Sequence, residues 1–332
     1  MTLIQGETED ALRGKQLVFL VGAPRSGTTW LQLLLSRSPA VVTAPETHLF
    51  NAFLRSMVDQ WNHFQNHSRS TGEGIGLTAL LSDEEFRALL RTVSGFVFAK
   101  IAQRKPSATV VLEKSPQHVH CWREILELWP DAHFIHIIRD PRSVVASTLA
   151  ASRTFAYDFS SRISTNCESW IRDVTDGRRI GLATRNYQEI TYEELVSNGS
   201  GVLMRLLGGL GVRSSPDECK QYVDECSIDN LKVGKLDNAP FDVARRAQGS
   251  FFRSGTTDGW GAELSTWEIA LVERLAGPLM SELGFKPAID NKATSVFVGM
   301  AWTAWGAARA ARLRMQRLEL RRRLVPALLG RF

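Results

Sequence analysis

Residues 22–30, Gly-Ala-Pro-Arg-Ser-Gly-Thr-Thr-Trp, constrain this chain more than any other segment. They follow LVFLV at 17–21, a continuous apolar run of the kind that forms a strand buried on both faces. They precede a helical run from Thr28 through Leu35. A strand, a glycine-bearing loop and a helix in that order turn successive backbone N–H groups and a helix N-terminus toward one spot, which favours a doubly charged oxyanion. Gly22, four residues, Gly27 and a hydroxyl pair have the spacing of a phosphate-binding loop. A nucleotide-hydrolysing loop carries lysine where this chain has Thr28, and Arg25 stands inside the loop instead. The loop therefore calls for a phosphate but supports ATP chemistry poorly.

The surrounding pattern alternates buried-strand candidates with helical stretches. Further strands are expected at 109–112 (TVVL), at 133–138 (HFIHII) and, more weakly, at 189–191 (EIT). Asp140-Pro141 marks the start of another helix. Such alternation implies an α/β fold with a P-loop-like parallel sheet flanked by helices. Residues 51–105 read as helical segments broken by a polar loop at 66–76, an insertion covering the sheet's ligand edge. The expected organisation is one domain over 1–292 and an appended basic tail over 293–332.

That tail accounts for the charge. The net charge of +5 divides into eight arginines against one glutamate in 293–332, and 32 basic against 34 acidic residues in the remainder. A near-neutral body excludes a nucleic-acid-binding domain on charge grounds. Ala293 to Ala308 are 16 uncharged residues, short of the ~20 a spanning helix needs. Met300, Ala304, Ala307, Ala311, Met315 and Leu318 form one helical stripe. Two readings stand: a helix packed on the body or on a second copy in a homodimer, and a basic amphipathic helix on an anionic membrane, favoured by Trp302 and Trp305. At 44% hydrophobic and 23% charged, the chain is globular in composition. The N-terminal residues 1–16 carry acids and lack a long apolar run, and the four cysteines match no zinc spacing, so a cytoplasmic protein with reduced thiols is expected, peripheral on the membrane if the tail docks there.

The loop Arg25-Ser26-Gly27-Thr28-Thr29-Trp30 resembles the 5′-phosphosulfate loop of sulfotransferases that use 3′-phosphoadenosine 5′-phosphosulfate (PAPS). The resemblance implies that Arg25, Ser26, Gly27, Thr28 and Thr29 hold the phosphosulfate and that Trp30 stacks on adenine. A second motif, FIHIIRDPRSVVAS at 134–147, places Arg139 at a strand end and Ser147 eight residues later on a helix. It resembles the family's 3′-phosphate motif: an arginine fork plus a hydroxyl about two turns into a helix suits such a phosphate. Tyr192-Glu193-Glu194-Leu195 resembles the family's Tyr-Glu segment, whose tyrosine lies near the adenine. Phe252-Arg253-Ser254-Gly255, ending in Gly259-Trp260, resembles the element that closes over the 3′-phosphate. Ser254 replaces the family's lysine there, so Arg253 and Gly255 are expected to contact phosphate with one charge fewer.

Sulfuryl transfer needs a nucleophilic hydroxyl, an in-line sulfate and a neutralised leaving phosphate. The transferred group carries less negative charge than a phosphoryl group, so positioned cations can replace metal ions, and none is expected. The lysine-Thr-His segment of cytosolic sulfotransferases has no match: two residues after Lys114 stands Pro116. Glu46, followed by Thr47 and 21 residues after Arg25, resembles the catalytic glutamate of tyrosylprotein sulfotransferases. A partly desolvated carboxylate can accept a hydroxyl proton, and His48 is the second choice. Lys114 resembles the lysine that bridges to the transferring sulfate. The implied activity is transfer from PAPS to a hydroxylated acceptor: a glycan, glycolipid or other metabolite ahead of protein tyrosine. The alternatives are an ATP-dependent small-molecule kinase and a non-catalytic nucleotide-binding module docked at a membrane.

Overall fold

The computed structural model describes residues 2–153, 159–243 and 255–289. Arg253 and the tail 293–332 lie outside them, so the expectations placed there are not addressed by it. The core is one sheet of β1 (Gln16–Val21), β2 (Val41–Thr43), β3 (Val110–Glu113), β4 (His133–Ile138) and β5 (Tyr187–Thr191), in the order β2-β3-β1-β4-β5. All its pairings are parallel, as the strand–helix alternation implies.

Both faces are covered, which is why the strands read as unbroken apolar runs. Alternate residues of β1 serve opposite layers. Val18 and Leu20 pack with Leu31, Leu34 and Leu35 of α2 (Thr28–Ser36) and with Val202 and Leu206 of α9 (Gly199–Gly209). Leu17, Phe19 and Val21 pack with Phe86, Leu90 and Phe98 of α4 (Asp83–Ala102). Phe19 meets Phe50 and Phe98 edge-on, each with ring centroids 5.8 Å apart. Burying a side chain of that size contributes about 1.5–3 kcal/mol.

The sequence reading and the structure differ in four places. Strand β2 was not anticipated: three residues are too few to show a period, and register with β3 defines it, Val41 beside Val110. The strand expected at 109–112 runs one residue further along, ending at Glu113. The weak strand at 189–191 begins at Tyr187. The polar loop expected from residue 66 is helical to Thr71, because α3 (Arg55–Thr71) ends only at Gly72, whose φ of 78° suits glycine. Helix α4 packs on β2, on β3 and on α1 (Thr2–Leu12), so the latter part of segment 51–105 covers the sheet itself.

The topology also places the site. Strand β1 lies between β3 and β4; the chain leaves β1 toward β2 on one side and leaves β4 toward β5 on the other. The loops after β1 and β4 therefore flank the point where strand order reverses, the usual ligand crevice of such sheets.

Candidate active site

The loop after β1 is built for close approach. Gly22 has φ of 148° and an ideal Cβ there would stand 2.4 Å from the Ile137 carbonyl oxygen; at Gly27, with φ of 93°, it would stand 2.6 Å from Tyr192 Cδ2. Arg25 holds a left-handed backbone, φ 72°, at a position without glycine's freedom, a conformation costing about 1–3 kcal/mol that clusters at functional sites. Its side chain crosses to helix α6 (Pro141–Ser152), where Nε donates to Ser147 Oγ at 3.1 Å. Ser26 is fully buried, and its Oγ meets no hydrogen-bond partner among the described residues. An orphaned donor inside a loop of backbone N–H groups fits a phosphate or sulfate oxygen.

Arg139 leaves the end of β4 and ties this loop to two other segments. Its Nη1 donates to the Arg25 carbonyl at 3.2 Å and its Nη2 to the Thr256 carbonyl at 3.1 Å. Its guanidinium lies 4.0 Å over the Tyr192 ring. Burial pushes the Tyr192 phenol up from its ordinary range, with Arg139 acting in the opposite sense. Trp30 Nε1 donates to the Cys226 carbonyl at 2.9 Å, and the Trp30 ring stands 5.7 Å from Tyr192. Arg25, Gly27, Thr28, Thr29, Trp30, Arg139, Ser147, Tyr192 and Gly255 all line one cleft, with Ser143 and Trp260 beside them. Ser143 was missed by the sequence reading, and Trp260 entered it only as the end of the element that begins at Phe252. Ser143 donates to the Thr257 carbonyl at 3.0 Å, and Trp260 covers the Arg142 guanidinium at 4.1 Å. Ser143 sits one turn before Ser147, a signal legible in the motif itself.

The residues expected to handle the proton gather at the ends of β2 and β3. Lys114 Nζ pairs with Glu46 Oε1 and donates to Thr29 Oγ1 at 3.1 Å, so it joins the expected base to the phosphate loop. The Lys114 side chain is fully buried, whereas that of Glu46 is 27% exposed and can meet an incoming acceptor. His48 is exposed, with Nε2 3.4 Å from Glu46 Oε2. Of the residues expected to act, Lys114 joins Glu46 to Thr29 and Arg25 joins Ser147; Thr29, Arg25 and Ser147 line the same cleft, and His48 stands beside Glu46.

Glu113 was not singled out from the sequence. Its carboxylate is buried and accepts from Thr47 Oγ1 at 2.8 Å and Ser115 Oγ at 2.7 Å; His118 Nδ1 stands 2.7 Å away. Burial alone would raise its pKa, but His118 and those two hydroxyls outweigh it and hold the carboxyl at about 2. The signal available was a carboxylate closing an apolar strand run beside Lys114. His120 lies between Asp173 Oδ1 at 2.8 Å and Asp176 Oδ2 at 2.9 Å on α7 (Ile163–Ala183). The four cysteines are buried and free, as reduced thiols require. Among the described residues no cluster of three or more His, Cys, Asp or Glu side chains could hold a metal ion.

Known proteins resemble both the sequence and the fold. The sequence profile described as "Sulfotransferase family" matches residues 17–216, from β1 to the first residue of α10 (Pro216–Glu225). The "Omega-hydroxy-beta-dihydromenaquinone-9 sulfotransferase Stf3" of Mycobacterium tuberculosis is 30% identical over 171 residues, 48% of this chain and 41% of that protein. The "Nodulation protein NoeE" of Sinorhizobium fredii is 23% identical over 300 residues, 83% of this chain and 67% of that protein. The match thus spans about two fifths of the mycobacterial relative's length and two thirds of the rhizobial one. Among solved structures, the "Sulfotransferase Domain from the Curacin Biosynthetic Pathway" superposes with a TM-score of 0.55 at 17% identity, covering 82% of this chain and 98% of that one. The profile covers well over half the chain and includes the phosphate loop, Glu46, Lys114 and Arg139 with Ser147, so the chain belongs to the sulfotransferase family.

Proposed function

We propose that the protein transfers a sulfuryl group from PAPS to a hydroxyl acceptor by in-line displacement and releases 3′-phosphoadenosine 5′-phosphate (PAP). The observation that carries this reading is the Glu46–Lys114–Thr29 chain, which joins a part-exposed base to a buried cation at the phosphate loop. PAPS, when bound, supplies the activated sulfuryl group. Glu46 accepts the acceptor's hydroxyl proton as the new S–O bond forms. Lys114 and Arg25 stabilise the negative charge that collects on the leaving phosphate and the sulfuryl oxygens. Ser26, Thr28, Thr29 and the N-terminus of α2 hold the 5′ end. Arg139 and Ser147 take the 3′-phosphate, with Trp30 and Tyr192 against the adenine.

The acceptor we favour is a glycan, glycolipid or other hydroxylated metabolite. The mycobacterial relative is named for an omega-hydroxy-beta-dihydromenaquinone-9 substrate, which supports a non-protein acceptor here. The basic amphipathic pattern of 293–332 supports peripheral contact with an anionic membrane or a homodimer contact, in a cytoplasmic protein that uses no metal. Deleting 293–332 should abolish binding to vesicles containing anionic lipid while leaving PAP binding intact; retained vesicle binding would remove the membrane role.

Thermal shift tests the cofactor. PAP at about 100-fold excess over its Kd should stabilise the chain by about 2.7 kcal/mol, several degrees, without Mg²⁺. A shift with Mg-ATP and none with PAP would replace the sulfuryl-transfer reading with a kinase. Turnover of radiolabelled PAPS against a panel of hydroxylated acceptors then identifies the substrate.

A further inference from the structure

The segments that follow β2 and β3 are joined residue by residue. Glu46 pairs with Lys114, Thr47 Oγ1 donates to Glu113, and the His48 backbone N–H donates to Ser115 Oγ at 3.1 Å. These contacts continue into the wide helical turn Leu49–Leu54, which leads directly into α3. The first N–H groups of a helix have no partner within it and must find one elsewhere. Here four consecutive N–H groups across the entry to the turn, Thr47 to Phe50, find side-chain partners. Thr47 N reaches Glu113 Oε1 at 3.4 Å, His48 N reaches Ser115 Oγ, Leu49 N reaches Thr47 Oγ1 at 3.2 Å, and Phe50 N reaches His118 Nε2 at 3.1 Å. Three of the four acceptors come from residues 113–118, the stretch that carries Lys114.

We infer that Glu113 is a positioning residue for the proposed sulfuryl transfer: through Thr47 it holds the Glu46 carboxylate against Lys114. The inference rests on the sulfuryl-transfer reading above. Glu113 is buried and acts through Thr47, whereas Glu46 is part-exposed on a loop and needs an anchor. Side chains that transfer protons must be held to within about 0.5 Å of the productive geometry, and a displacement of about 1 Å costs about 100-fold in rate. The Thr47 hydroxyl supplies that anchor twice, since it donates to Glu113 and accepts from Leu49. Glu113 also accepts from Ser115, which holds the neighbouring His48 backbone, so one buried carboxylate organises both sides of Lys114.

The test uses the full chain carrying Thr47→Val, Glu113→Gln and both together. Thr47→Val keeps the side-chain shape and removes the hydroxyl at a half-buried position; Glu113→Gln keeps an acceptor oxygen and removes the charge. For each, kcat and the KM for PAPS are measured with 4-nitrophenol or an acceptor found in the panel, PAP affinity by calorimetry, and folding by circular dichroism. Positioning predicts a fall of about 30- to 100-fold in kcat for Thr47→Val, with KM and PAP affinity held within about threefold. It also predicts a double variant no slower than the slower single variant, because both substitutions break one link. A purely structural cap would lower thermal stability and leave kcat of the folded fraction alone. The inference is overturned if folded Thr47→Val keeps kcat within about threefold of the parent, if the loss lies wholly in KM, or if the two effects multiply. A parent protein that binds PAP yet transfers sulfate to no acceptor would defeat the sulfuryl-transfer reading itself and take this inference with it.

Discussion

Lys114→Met separates what the buried ammonium does for folding from what it does for chemistry. Methionine keeps an unbranched stem of similar length and removes the charge. Breaking a buried ion pair by deleting one partner costs about 3–5 kcal/mol when the survivor is sealed from water. Here the survivor is Glu46, whose side chain is 27% exposed and can rehydrate, while the fully buried lysine no longer has to be desolvated. Those effects oppose each other, so the net change in stability should be about 1–2 kcal/mol, a few degrees in Tm. The chemical effect has nothing to offset it. Lys114 is the cation that reaches the phosphate loop through Thr29, and removing one preorganised donor of developing charge typically costs about 100- to 1,000-fold in kcat, about 2.7–4 kcal/mol. PAP carries the 5′-phosphate on which that charge collects, so its affinity should also fall, but by less than kcat. Initial rates at saturating radiolabelled PAPS, with PAP calorimetry and a melting curve on the same preparation, separate the three quantities. A folded variant that keeps more than about a tenth of the parent's kcat would refute the assignment of Lys114 to charge stabilisation.

Gly27→Ala should weaken PAP binding at least about tenfold, since its Cβ meets Tyr192 Cδ2 at 2.6 Å and the backbone stays left-handed at φ 93°. Gly208→Ala, where nothing lies within 4 Å, is the control and should leave binding unchanged and add about 0.4–1 kcal/mol of stability. Arg139→Ala should cost about 2 kcal/mol of PAP affinity and erase the preference for PAP over an analogue lacking the 3′-phosphate; equal losses for both ligands would place the 3′-phosphate elsewhere. The pKa of His120 is raised: burial lowers it, but the hydrogen bonds it donates to Asp173 and Asp176 outweigh that. Its stabilisation is therefore complete below the ordinary value of 6.5 and is lost as pH climbs through the raised one. Melting curves across that window should fall with rising pH in the parent and flatten in His120→Gln; parallel curves would show that the two aspartates do not hold a charged imidazole.

What the sequence by itself determined was local. The apolar runs of β1 and β4, the glycine spacing of the phosphate loop and the eight-residue step from Arg139 to Ser147 are all set within a few turns of chain, where backbone geometry and period decide. That much sufficed for a parallel α/β fold and a phosphate loop, and the choice of Glu46 and Lys114 came from resemblance. Only the tertiary structure decided how those parts meet. Arg25 and Ser147 lie 122 residues apart in sequence, and Glu46 and Lys114 lie 68 apart. They touch because β3 pairs in register with both β2 and β1, and β4 with β1, which brings loops from distant parts of the chain to one end of the sheet. Strand β2 is too short to announce itself, and the helix running on to Thr71 is stopped by the left-handed Gly72 rather than by polarity. His120 carried no signal as a single letter, and Glu113 only that of a carboxylate closing an apolar strand run. A buried carboxylate and a histidine between two aspartates acquire their roles from partners that register and helix packing deliver, and no local period encodes that delivery.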